Sequence, residues 1–327
     1  MWPKSVFKCH EPVLTQHEVY CKILRVTKPK SSVEGDIPKV LLNRYAYQYA
    51  LPASMIFNEI IKTSSWPRQW VKEEMIVLSK LKPQQLPQSE EDLRTISKTA
   101  WLSKCLENIL GDFILPHIDK YLDPGQCGGL KKSSINHYLI KLLDFAHRTL
   151  DRTTPHCAIL CTEDLSKAYN RGSHNLVVED LHSMHVPKWT LGIVCSYLKE
   201  RSCILKYQNS KSERKMLPGG FGAGTWLGGL LFIVKFNGAC MRPPIPRPIT
   251  KNHGMQVKYI DDASQMASVN LRKSLVPDLS QRPRPLNFHE RTEMVLKPEE
   301  NVILPELKKF YNFTQSNKLV INKKIVL

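Results

Sequence analysis

Three carboxylates stand out by their setting. Asp164 lies just past the apolar run Cys157-Ala158-Ile159-Leu160-Cys161, and Asp261 and Asp262 close the tetrad Tyr259-Ile260-Asp261-Asp262. Both segments read as buried β-structure, where an uncompensated carboxylate costs free energy. Carboxylates on rigid strands are what two neighbouring divalent cations require. One ion then stabilises the attacking oxygen of a phosphoryl transfer and the other the leaving oxygen. An Asp-Asp pair alone equally suits an ordinary turn, so the surrounding elements decide between the two readings.

The run 157–161 reads as a central strand with Asp164 at the end where open sheets place their chemistry. Residues 256–265 read as strand, tight turn, strand, with Asp261 and Asp262 at the turn. A short apolar run bounded by charge predicts a strand over 74–79, followed by a Pro- and Gln-rich loop over 81–91 flanked by Lys80 and Arg94. Helices are predicted over 102–122, 137–150, 176–184 and 189–201. In 137–150 an apolar stripe runs through Leu139, Leu142, Leu143, Ala146 and Leu150. One or two further helices over 37–62 carry a break at Pro52. Residues 1–35 are basic and show no clear period. The proline-rich region 242–247 and most of 277–285 read as loops, and no repeat at solenoid spacing is visible.

The 327 residues are 42% hydrophobic, enough for a substantial core in one large domain or two ordinary ones. Lys and Arg outnumber Asp and Glu by 47 to 30, a formal charge of +17. Such a surface suits nucleic-acid phosphates, with binding that weakens steeply with salt. The rival is a charge that only aids solubility or attracts anionic membranes. The basic residues are spread along the chain, which suits a groove lined from several segments better than a tail. The nine cysteines form no C-x-x-C pair and read as reduced structural thiols. With no apolar signal-peptide stretch at the N-terminus, the expected location is cytoplasmic or nuclear. The uncharged stretch 216–234 has the length of a membrane span, but Pro218 and its six glycines fit a loop entering a short buried helix. No membrane partner is expected.

Taken in order, several segments resemble a reverse transcriptase domain of the non-LTR retrotransposon type, and the likeness runs from about Gly35 to Lys324. Gly35-Asp36-Ile37-Pro38, Trp66-Pro67 with Trp70, Asp92-Leu93-Arg94-Thr95-Ile96-Ser97, and Ser103-Lys104 with Glu107 resemble the family's fingers. Asp164-Leu165-Ser166-Lys167-Ala168-Tyr169-Asn170-Arg171 resembles its first palm motif, and Ser196-Tyr197-Leu198 with Arg201 the helix after it. Tyr259-Ile260-Asp261-Asp262 is similar to the Y-x-D-D hairpin. The resemblance implies an α+β right-hand polymerase fold: helical fingers, a palm with an antiparallel sheet, and no thumb. The expected organisation is a basic segment over 1–35, fingers over 36–155, and a palm over 156–327 with some fingers-associated helices.

By the same resemblance, Asp164 and Asp261 bind two Mg²⁺ ions, with Mn²⁺ as a possible substitute, and Asp262 supports the site. Lys80 and Arg94 take the positions that grip the incoming triphosphate, and Tyr169 that of a ring excluding a 2′-hydroxyl. Gly224 lies where the backbone approaches the nascent base pair. Lys323 and Lys324 are candidates for a lysine near the leaving pyrophosphate. The implied partners are an RNA template, a DNA primer and deoxynucleoside triphosphates. The implied function is RNA-directed DNA polymerase; the alternative is an inactive retroelement remnant that only binds nucleic acid through a basic groove. Two departures favour the alternative. Gly222-Ala223 stands where the family has Pro-Gln, which removes a polar contact and loosens the loop. The chain also stops at Leu327, before a primer grip and thumb, as expected of a truncated or decayed copy.

Overall fold

The apolar run after Trp70 becomes the centre of a mixed sheet, and the run before Asp164 becomes one edge of a second, antiparallel sheet. In the computed structural model, the described residues are 11–26, 33–82, 85–130, 132–154, 156–165, 168–239, 255–260, 262–270, 303–317, 319 and 321. In chain order the elements are α1 (Gln16–Val26), α2 (Lys39–Arg44), α3 (Ala46–Thr63), β1 (Lys72–Ser79), β2 (Leu93–Lys98), α4 (Trp101–Ile118), α5 (Ile135–Leu150), β3 (His156–Glu163), α6 (Ala168–Arg171), α7 (His174–Ser183), α8 (Lys188–Leu198), β4 (Ser202–Tyr207), β5 (Ser210–Lys211), β6 (Lys215–Met216), α9 (Trp226–Asn237), β7 (Met255–Tyr259), β8 (Asp262–Asn270) and a helix over Ile303–Ser316. The chain is thus α+β. It divides into two compact units, Met1–Tyr121 with Tyr169–Lys235, and Leu122–Ala168 with Phe236–Leu327.

In the first unit β1 lies between β2, antiparallel to it, and β4, parallel to it. On the far side of β4, β5 and β6 are two pieces of a return strand. The interruption is tied down at Ser212, whose N–H donates to the Leu205 carbonyl at 2.9 Å while its Oγ accepts the Leu205 N–H at 3.0 Å. Helix α1 buries Val19 and Ile23, and α3 buries Ala50, Ala53, Phe57, Ile60 and Ile61. In α9, Leu227, Leu230, Leu231, Phe232, Ile233 and Val234 are all buried, as an all-round apolar helix requires. Among the described residues no helix is long and apolar enough to cross a membrane.

The second unit is built on the sheet order β3-β8-β7, antiparallel throughout, with α5 packed against all three strands. A hydrogen-bonded segment covers the free edge of β7. Gln126 forms a parallel bridge with Lys258, the Lys258 N–H donates to the Gly125 carbonyl at 2.9 Å, and the Cys127 N–H donates to the Lys258 carbonyl at 2.7 Å. An open edge is thereby paired instead of left to solvent.

Four expectations change. The helix break falls at Tyr45, and Pro52 sits inside α3. Pro52 is on the exposed side, so the carbonyl it leaves unpaired faces water, and burial of the opposite side carries the helix through. Residues 1–35, without a period in sequence, hold α1. Strand β4 begins where the helix 189–201 was expected to finish; α8 ends at Leu198. Finally, the apolar stripe of α5 is largely uncovered, with Leu139, Leu143 and Leu150 exposed. The helix meets its three-stranded sheet through Tyr138, whose ring stands edge-on to Tyr259 and whose hydroxyl meets Ser264 Oγ, and so narrow a sheet covers one line of the helix.

Candidate active site

Sheet register sets the carboxylates of the second unit. β3 and β8 run antiparallel with Glu163 opposite Ala263, so the next position outward is Asp164 on one strand and Asp262 on the other. Asp262 feels the result: burial pushes its carboxyl above the ordinary range, and the negative charge of Asp164 pushes it further in the same direction. Two hard oxygen donors that repel each other at one end of a strand pair suit a divalent cation, which would relieve that repulsion. Among the described residues no group of three potential metal ligands forms, and Asp261 lies outside those residues.

The turn between β7 and β8 is braced from the side. Gln126 Oε1 accepts the N–H of Ile260 at 3.3 Å and that of Gly128 at 3.2 Å, and Gln126 is buried. Ile260 has φ of 60°, a left-handed backbone that a β-branched residue adopts only at a cost of roughly 1–3 kcal/mol. A Cβ at Gly128 would lie 2.4 Å from the Ile260 nitrogen and 2.9 Å from the Tyr259 carbonyl carbon, so only glycine lets the brace come this close. One residue before the turn, Lys258 is fully buried. Its ammonium pairs with Asp123 at 2.8 Å and donates to the carbonyls of Phe236 and Asn237 at 3.2 and 3.3 Å. The segment 125–129 has no expected role in sequence, so its part as a brace was missed.

Next to Asp164 but on the opposite face of β3, Glu163 is buried. Gln265, its neighbour across the sheet, donates from Nε2 to both carboxyl oxygens at 3.2 and 3.4 Å. Burial drives this carboxyl up to about 8 against the opposing pull of that hydrogen bond, which favours its protonated form at neutral pH.

The remaining expected residues that the structure describes lie in the first unit. Arg94 is exposed on β2, in register with Leu78 of β1. Lys80 is exposed just past β1, where its N–H donates to the Asp92 carbonyl at 2.8 Å. The glycine-rich loop lies against β2. The Ser97 N–H donates to the Ala223 carbonyl at 2.8 Å, and Gly224, at φ of 97°, faces Ile96 and the Ser97 carbonyl. Tyr169 is half-buried with its ring 4.8 Å from that of Phe232. Lys323 and Lys324 lie outside the described residues.

Beneath the loop runs a buried polar network that joins several of the sequence motifs. Arg201 pairs with Glu73 at 2.9 Å, both essentially without exposure, and its guanidinium stacks 4.6 Å from the Tyr197 ring. The Tyr197 hydroxyl donates to Glu107 at 3.4 Å and lies 3.4 Å from Thr225 Oγ1, while Ser103 donates to the other Glu107 oxygen at 3.0 Å. Burial raises the Glu107 carboxyl despite the nearby Arg201 charge. Trp66 joins through its backbone N–H, which donates to Ser196 Oγ at 2.7 Å, and through ring contacts with Trp70 and Tyr197.

The chain is therefore an α+β protein with two carboxylates, Asp164 and Asp262, at one end of an antiparallel strand pair, and with basic residues on a mixed sheet. Over 221 residues, 66% of its length, it is 24% identical to a Drosophila melanogaster protein described as "Probable RNA-directed DNA polymerase from transposon BS". The relationship is reverse-transcriptase-like and distant, and the aligned segment spans 24% of that relative's length. No protein-family model matches the chain.

Proposed function

We propose that this chain is a polymerase domain of the reverse transcriptase class, transferring deoxynucleotides to a primer end on an RNA template, with 36–155 as fingers and 156–327 as palm. The observation that carries the reading is the meeting of Asp164 and Asp262 at one end of β3 and β8, next to a strained turn. Asp164, Asp261 and Asp262 would hold two Mg²⁺ ions, which lower the pKa of the primer hydroxyl and neutralise the leaving pyrophosphate. The protein's own contribution is positional. β3 and the braced hairpin hold the carboxylates rigidly, so little reorganisation remains at the moment of transfer. Arg94 offers a planar fork and Lys80 a point charge for triphosphate oxygens. Tyr169, its ring backed by Phe232, suits a wall that a 2′-hydroxyl would strike. Lys323 and Lys324 remain candidates for the pyrophosphate side.

A second reading, a remnant that binds nucleic acid without extending it, is favoured by Ala223, which offers the loop a methyl group instead of a polar side chain. Primer extension on a homopolymer RNA template with Mg²⁺ and deoxythymidine triphosphate separates the two. The chain is compared with Asp261→Asn and Ala223→Gln. Extension lost in the first variant and raised in the second is the expected result. Equal background from all three rejects the polymerase reading, and salt-sensitive retention on the primer–template without extension supports the remnant.

A further inference from the structure

One end of the mixed sheet gathers positive charge that no expected site uses. Arg68 lies in the turn after Trp66, Lys72 opens β1, and Arg214 leads into β6; all three are exposed. Together with Val71, Glu200, Ser202 and Met216 they line a cleft of about 350 Å³. Its supports are rigid. Lys72 and Ser202 are cross-strand partners, Ser202 and Met216 are partners in turn, and the Ser202 N–H donates to the Val71 carbonyl at 3.2 Å. The turn that carries Arg68 is pinned by Trp70, whose ring stands edge-on to those of Trp66 and Phe57.

The charge balance separates this end of the sheet from the other. Farther along β4 and on β5, Lys206 is bound by Glu34 and Glu74, and Lys211 by Glu34, at 2.7 to 3.0 Å. In the cleft three cations face one carboxylate, and Glu200 is itself shared with Lys199 at 3.7 Å. Arg214 spends one nitrogen on two long hydrogen bonds, to the Ser202 carbonyl at 3.4 Å and its hydroxyl at 3.3 Å. The cleft also stands apart from Arg94. Lys72 and Leu78, the partner of Arg94, are six residues apart on β1, roughly 20 Å at strand spacing.

We propose that this cleft is a phosphate-binding site for the backbone of single-stranded nucleic acid, a class of ligand that rests on the polymerase reading above. Several unneutralised cations spread over an open cleft suit a run of phosphates better than a single anion, since each contact releases a counterion. Among the described residues no aromatic ring lines the cleft, so it would hold a strand in register without reading its bases.

The test is fluorescence anisotropy of a labelled oligouridylate with the whole chain, titrated at several salt concentrations. The variants are Arg68→Ala/Lys72→Ala/Arg214→Ala, a Lys206→Ala/Lys211→Ala control, and Glu200→Gln. The triple variant should bind at least about tenfold more weakly, with a salt slope shallower by about 2, or about 0.7 for each of three contacts. The control should change little, and Glu200→Gln should bind more tightly. Binding by the chain with the same affinity and slope in the triple variant overturns the cleft and leaves the polymerase reading standing. No binding by the unmodified chain removes both. Saturable binding of inorganic triphosphate, lost in the triple variant without any change in oligouridylate binding, overturns the strand assignment in favour of a mononucleotide.

Discussion

The hairpin turn of the second unit and the glycine-rich loop of the first both carry expected site residues, yet they are held by different means. The turn is fixed by sheet register, by backbone rungs from 125–127, by one buried amide that accepts the Ile260 N–H, and by the buried Lys258–Asp123 pair beside it. The loop also has backbone ties, from Phe221 N–H to the Tyr169 carbonyl and from Ser97 N–H to the Ala223 carbonyl. It rests as well on a buried charge network drawn from Glu73, Glu107 and Arg201. Register is set by local pattern and turn geometry, whereas buried charges must be brought together by the whole fold. The turn, whose own buried pair is Lys258 with Asp123, should therefore tolerate loss of the Arg201 charge, and the loop should not.

The harshest way to break this comparison is Arg201→Met. Arg201 Nε and Nη1 and Glu73 Oε1 already lack hydrogen-bond partners, so the network is only partly satisfied. Removing the guanidinium would leave the Glu73 carboxylate buried and unpaired, a loss of about 3–5 kcal/mol. Adding Glu73→Gln should restore much of it. Urea unfolding measures the loss, and amide exchange locates it: the Ser97 and Phe221 N–H groups should lose protection while those of Lys258 and Cys127 keep theirs. Equal loss at both places would mean that the loop and the turn do not differ in this way.

Much of this contrast could be read ahead of the structure, and the missed part has a physical cause. The strand before Asp164 and the hairpin at 259–262 were legible because an unbroken apolar run and a tight turn between apolar strands are local signals. The network was not legible. Glu107 and Arg201 were noticed only as letters of motifs, since nothing in a sequence says which buried cation will meet which carboxylate. Strand β4 was hidden because its short Cys203-Ile204-Leu205 run lies directly after a helix and beside Lys206. Gln126 escaped for a related reason: its two donors lie at Gly128 and, 134 residues on, at Ile260.

A second prediction concerns Glu163, behind the carboxylate site. Its carboxyl titrates near 8 when folded, well above the model-peptide value of 4.5. Between those values the folded chain keeps a proton that the unfolded chain releases. Stability is therefore greatest below the unfolded value and falls as pH rises, levelling off above about 8. In the metal-free protein Glu163 should contribute a fall of roughly 2–3 kcal/mol between about pH 5 and 7. Glu163→Gln should flatten that part of the profile. A urea-midpoint profile that is the same for both proteins would place the Glu163 charge in water.

Of smaller size is the effect of crowding the brace. In Gly128→Ala the new methyl meets backbone atoms of Tyr259 and Ile260, which cannot swing aside as a flexible side chain would. The expected loss is about 2 kcal/mol, typical of overpacking. Because the strain falls on the turn, exchange protection should drop at Ile260 and Cys127 and stay unchanged at Ser97, the reverse of the Arg201→Met pattern.

The smallest expected effect asks where each region stores strain. Every positive-φ residue of the loop is a glycine, at 220, 222 and 224, so the loop backbone has no strain to release. The turn instead places a β-branched side chain at φ of 60° in Ile260. Asparagine tolerates that conformation far better, so Ile260→Asn should raise stability by about 1 kcal/mol, whereas Ile260→Val, still β-branched, should not. Ala at Gly222 should lower stability, because the loop offers nothing to relieve. If Ile260→Asn stabilises the fold while lowering primer extension, the left-handed residue is a cost borne for the placement of Asp262. If stability and extension rise together, the strain serves no purpose, and the turn and the loop differ only in how they are fastened.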